Sequence, residues 1–92
     1  MIVRILGEGQ LDLGEEHLDE LNELDAELAA AVTAGDQAAF DRDLGQLLDR
    51  VRSVGRPVPD NQLSVSDLIL PGADSTLGEV AALLGDDGLI PG

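Results

Sequence analysis

Few residues in this chain have the chemistry for catalysis or metal binding. His17 is the sole histidine, there is no cysteine, and all five basic residues are arginine. His17 and Glu20 stand three positions apart, a spacing that places two side chains on one helix face. A metal held there would need one or two further ligands, and only neighbouring carboxylates on a polar face are on hand. A small metal- or ligand-binding sensor using His17 and these carboxylates is therefore an alternative reading, and the expectation is no metal and no cofactor. Gly7-Glu8-Gly9 has two glycines of a dinucleotide fingerprint but lacks the third and the following β-α-β unit. Asp86-Asp87-Gly88 lacks the alternating oxygen ligands of a calcium loop. No serine has an evident base beside it, so nucleophilic catalysis has no support. No catalytic residue is assigned, and the chain is read as not an enzyme. What remains is acid. Glu16, Asp19, Glu20, Glu23 and Glu27 fall on the polar side of a helix, where water keeps carboxylates ionised and unsuited to acid catalysis. Charged in this way they suit a basic surface, and Asp19, Glu20, Glu23 and Glu27 are the candidate partner-binding residues.

Composition narrows the partner. Nineteen acidic residues against five basic ones leave a net charge of −14. Such a surface repels phosphate backbones, which require clusters of Lys and Arg, so nucleic acid is not an expected partner. Direct docking on anionic lipid is disfavoured for the same reason. No apolar run approaches the roughly 20 residues of a membrane span, and the start of the chain carries Arg4 within a stretch too short for a signal peptide. The expectation is a cytoplasmic protein that nears a membrane only through its partner. The chain should fold despite its charge: Leu, Ile and Val fill 28 of its 92 positions, with Phe40 the only aromatic, so the core is aliphatic.

The elements that position the acids follow from periodicity, and the 92 residues read as a single domain. Ile2-Val-Arg-Ile-Leu6 is β-branched and bounded by glycine, and Gln10 to Leu13 alternates polar and apolar. Residues 2–13 thus read as a β-hairpin turning at Gly7-Glu8-Gly9. From Glu15 the period changes. Leu18, Leu21, Leu24, Leu28 and Val32 recur at steps of three and four, one face of an amphipathic helix, with Gly35 at its C-terminus. Asp36 caps a second helix, Gln37 to Val54, whose apolar face is Phe40, Leu44, Leu47, Leu48, Val51 and Val54. Residues 15–55 are therefore a helical hairpin. Gly45 weakens the second helix and would permit close approach of a neighbour. The leucine seam packs within the chain, or against a second copy in a homodimer. Pro57 and Pro59 prevent continuation. Residues 56–75 read as an ordered loop or a short strand, with Ser66 able to cap one helical turn. Thr76 to Glu79 has the form of a capping box, giving a short helix over 76–85 and a tail over 86–92. The fold class is α+β: an N-terminal β-hairpin packed on an antiparallel helical hairpin plus a short C-terminal helix.

Several stretches in this order are similar to one family. They are Met1-Ile-Val-Arg-Ile-Leu-Gly-Glu-Gly-Gln10, Leu18-Asp-Glu-Leu-Asn22, Leu24-Asp25, Ala34-Gly-Asp36, Ser66-Asp67-Leu68, Leu70-Pro71 and Gly88-Leu-Ile-Pro-Gly92. Together they resemble PspAA, the PspA-associated domain found beside PspA-type proteins in phage-shock-like envelope-stress operons of actinobacteria and archaea. The resemblance implies an accessory that binds or regulates a PspA-type protein. Those partners are helical, membrane-associated, polymer-forming relatives of the ESCRT-III machinery. It carries no catalytic residue over, because these motifs are structural.

Overall fold

The computed structural model describes residues 1–59 and 65–83. The chain order is β1 (Ile2–Ile5), β2 (Gly9–Asp12), a 3-10 turn (Glu15–His17), α1 (Leu18–Ala34), α2 (Gln37–Val54), β3 (Arg56–Pro57), β4 (Leu68–Leu70) and α3 (Leu77–Leu83). The protein is α+β, with a β-hairpin, two helices forming a hairpin and a short C-terminal helix. The expected end of α3 at Gly85, the turn at Asp86-Asp87-Gly88 and the tail over 86–92 lie outside the described residues.

The β-hairpin is part of a larger sheet. β1 and β2 pair antiparallel with Val3 opposite Leu11 and Ile5 opposite Gly9, and Gly7 and Gly9 take the positive φ that this turn demands. β4 pairs parallel to β1, with Leu68 opposite Val3 and Leu70 opposite Ile5. β3 pairs with the far side of β2, giving the order β3-β2-β1-β4. Of the readings open for residues 56–75, strand holds at both ends. Ser66 does not start a helical turn. Its hydroxyl instead accepts hydrogen bonds from Gln10 Nε2 (2.7 Å) and Arg4 Nε (3.4 Å). Pro57 is tolerated because β3 is an edge strand.

Strand alternation divides the sheet into two faces. Val3, Ile5, Leu13, Leu68 and Leu70 point inward and join Leu21, Leu28, Ala31, Phe40, Leu44, Leu47, Leu48, Val51 and Val80 in one buried cluster. α1 and α2 therefore lie on one side of the sheet, and α3 packs against α1. Of the seam residues, Leu21 and Leu28 are fully buried within the chain, while Leu24 is half-buried against the same core.

Local chemistry sets the helix ends. Gly35 takes φ 67°, and the backbone N–H of Asp36 donates to Ala31 O at 3.1 Å, satisfying a terminal carbonyl. Asp36 Oδ1 accepts from the Ala39 N–H at 3.1 Å and caps α2. The Thr76 and Glu79 capping box closes in both directions, at 3.2 and 3.1 Å. One glycine departs from expectation, and another does more than end its helix. Gly45 has nothing within 4 Å of where a Cβ would sit, so no neighbour approaches it. Gly55 has an extended backbone, and its role is close contact: a Cβ there would lie 2.8 Å from the Val51 carbonyl oxygen and 3.0 Å from Leu11 Cβ. Glu15 and Glu16 sit in the 3-10 turn that precedes α1, and not in the helix proper.

Candidate interaction surface

The helical hairpin turns its inner side to the sheet and its outer side to solvent. Because α1 and α2 are antiparallel, residues early in α1 face residues late in α2. Glu20 accordingly meets Arg50, with Arg50 Nε 2.6 Å from Glu20 Oε1 and the second guanidinium nitrogen 3.1 Å from Oε2. This pair is about half exposed, so its net contribution to stability is small. Asp19, Glu23 and Glu27 are exposed and make no ion pair or hydrogen bond among the described residues. Of the four acids picked out from sequence, one is therefore already neutralised and three present full charge to water.

Between the two helices runs an open groove in two stretches. One, of about 600 Å³, lies near the interhelical turn and is lined by Glu27, Ala30, Ala31, Ala34, Ala39 and Asp43, among others. The other, of about 400 Å³, lies toward the opposite end, with Glu20, Leu24, Asp49 and Arg50 among its walls. Gln46 borders both. The alanines keep the floor shallow and apolar; the walls carry both signs, with Glu27, Asp36 and Asp49 beside Arg42 and Arg50.

Two further carboxylates escaped the sequence reading. Asp25 is 3% exposed and Asp43 is 4% exposed. Buried carboxylates need partners, and Asp43 accepts from Arg42 Nε at 3.1 Å. Both occupy positions that the 3.6-residue period assigns to the inner face, a signal that was present in the spacing but masked by residue type.

His17 ends the 3-10 turn, half-buried, with Nε2 3.7 Å from Glu16 Oε1. Glu20, its proposed metal co-ligand, is held by Arg50 instead. Among the described residues no group of three or more His, Cys, Asp or Glu converges in a way that could hold a metal ion. A separate clamp joins the sheet to α2: Arg52 Nε donates to Glu8 Oε1 at 2.8 Å, a second guanidinium nitrogen contacts Glu8 Oε2, and a third reaches Asp49 at 2.8 Å. The hydrogen bonds from Arg52 lower the Glu8 pKa from its usual value, and those to Glu8 raise that of Arg52.

These features define a small two-layer α+β protein whose outward chemistry is charge and shape, with an acidic helical face beside a shallow groove. The chain belongs to the PspAA family, described as PspA-associated protein, whose model matches residues 1–92. No curated protein and no solved structure matches it. Among the described residues no helix is long and apolar enough to cross a membrane.

Proposed function

We propose that this protein is a non-catalytic accessory that binds a PspA-type helical protein and modulates it in the envelope-stress, or phage-shock, response. It would act in the cytoplasm and reach the inner face of the membrane through that partner. Asp19, Glu20, Glu23 and Glu27 form the contact, with the interhelical groove beside them receiving a basic helix of the partner. The observation that carries this reading is the set of exposed carboxylates Asp19, Glu23 and Glu27 on α1, unpaired among the described residues, in a chain of a PspA-associated family. Unpaired exposed charges raise association rates and select partners of opposite sign. The net charge of −14 extends the same preference to long range.

The test is a triple reversal, Asp19→Lys, Glu23→Lys and Glu27→Lys, titrated against a PspA-type protein. These side chains make no ion pair or hydrogen bond among the described residues, and only Asp19 lies in the first turn of α1, where its charge suits the helix dipole, so the melting temperature should hold within a few degrees. Affinity should fall roughly 10- to 100-fold, as expected for reversing three rim charges. Unchanged affinity in a folded variant would remove the acidic face from the mechanism.

A further inference from the structure

The sheet has a second face, turned away from the helices, and it differs in kind from the rest of the molecule. Ile2, Arg4 and Leu6 of the first strand and its end, Gln10 and Asp12 of β2, Arg56 of β3 and Ile69 of β4 all alternate outward. Leu6 is 47% exposed and Ile69 53% exposed. In the register, Ile69 stands beside Arg4 and Arg4 beside Gln10, while Asp12 stands between Ile2 and Arg56. The Ser66 hydroxyl anchors Arg4 and Gln10 from one edge, and Asp67 Oδ2 accepts from the Ile2 backbone N–H at 2.9 Å.

The arginines are distributed unevenly. Arg42, Arg50 and Arg52 are each ion-paired to a carboxylate of the same chain. Arg4 and Arg56 have no ion pair among the described residues, despite the nineteen acids of the chain. Both lie on the open sheet face, bordered by Asp12 and Asp67. That face therefore carries little net charge: Arg4, Arg56 and the N-terminal ammonium stand against Asp12, 3.5 Å from that ammonium, and Asp67, with the aliphatic side chains of Ile2, Leu6 and Ile69 around Arg4. The rest of the chain has seventeen acids and three arginines.

We infer that the open face of the sheet is where a second copy of this chain docks, sheet against sheet. Two molecules of charge −14 repel one another across most approaches. The open sheet face is the place where like copies meet without opposing like charges. A two-fold arrangement is self-complementary by construction: it can set an arginine of one copy toward Asp67 of the other while Ile69 and Leu6 of the two copies pack together. Sheets stack face to face in this manner at about 10 Å. The patch is small, placing the contact in the weak class below roughly 1,200 Å² of total buried area, so dimers form only at high protein concentration. The acidic helical face points away from this contact and stays free, so each dimer would present two such faces.

Sedimentation equilibrium of the full chain at a series of concentrations and salt levels tests this. The mass should rise from 9.6 kDa toward twice that value with concentration. The dimer should strengthen as salt screens the net repulsion. Ile69→Asp should remain monomeric throughout, and Arg4→Glu, which unbalances the face without touching the core, should weaken dimerisation at least tenfold. Circular dichroism confirms that each variant is folded. A wild-type mass that stays at one chain through about 1 mM protein in moderate salt overturns the inference. So does a dimer that both variants form as readily as wild type.

Discussion

The outer face of the helical hairpin and the open face of the sheet handle charge in opposite ways. On the hairpin, the arginines are held by carboxylates within the chain: Arg50 by Glu20, Arg42 by Asp43. What is left over is negative, at Asp19, Glu23 and Glu27. On the sheet, Arg4 and Arg56 have no ion pair among the described residues and stand among aliphatic side chains and two bordering aspartates. The same five arginines, with the N-terminus, thus leave one surface strongly acidic and the other with little net charge. Net charge alone does not decide what a protein binds. The location of its few counter-charges gives each surface its own preference, a basic partner for the hairpin and a like copy for the sheet.

Both surfaces depend on one core, so the comparison is broken most severely from inside. Phe40 is fully buried where α2 meets the common cluster. Phe40→Ala should cost about 3–5 kcal/mol, a large share of the stability of a domain this size. Thermal unfolding should shift downward by roughly 4–8 °C for each kcal/mol lost, and any property assigned to either face should fail together. A variant that lost one face and kept the other would mean that the two layers are stabilised separately.

A narrower break acts on the hairpin alone. Asp36→Ala removes the side-chain acceptor for the Ala39 N–H and should cost about 1 kcal/mol, measurable by urea denaturation. It frays the start of α2 at the interhelical turn, next to the alanine-lined part of the groove. Any loss of partner affinity beyond what the change in folded fraction explains would place the contact near that turn.

The smallest expected effect sharpens the link between the layers. Glu8, in the hairpin turn of the sheet, is clamped by Arg52 of α2. The folded pKa of Glu8 is lowered, chiefly by those hydrogen bonds. A lowered carboxylate pKa contributes stability that is fully present above the unfolded value near 4.5 and is lost as pH falls through the folded value. Because both groups are well exposed, the amount should be under about 1 kcal/mol. Melting temperature measured from pH 7 down to about pH 3 should fall less steeply in Glu8→Gln than in wild type over the acid part of the range. An identical acid limb would show that the clamp does not hold the turn in solution.

Features that rest on short-range side-chain chemistry were legible in the sequence. Asp36, the Thr76–Glu79 box and Gly35 each act on backbone groups within a few residues, and each sits where the spacing put it. The inward leucines and Phe40 followed from period alone. β4 was not legible in the same way, because Leu68-Ile69-Leu70 fits a strand or an ordered loop equally well. Its state depends on pairing with β1, more than sixty residues earlier, which local sequence does not encode. The acids of α1 were legible as a charged face. That Glu20 is neutralised by Arg50 depends on the stagger of two antiparallel helices, and that Asp25 and Asp43 lie inward runs against their residue type. That Ile2, Arg4 and Leu6 alternate outward follows from the register of β1 and not from the β-branched composition that marked the strand. β3 and β4 widen the hairpin into a sheet with one face that no helix covers among the described residues.

The central claim is that the acidic helical face binds a PspA-type protein, and its most direct test is calorimetric titration of the two proteins across a range of salt concentrations. The account predicts saturable binding that weakens steadily as salt rises, with the slope reduced in the Asp19, Glu23 and Glu27 reversal. Absence of binding at low salt, with both proteins folded, would contradict it.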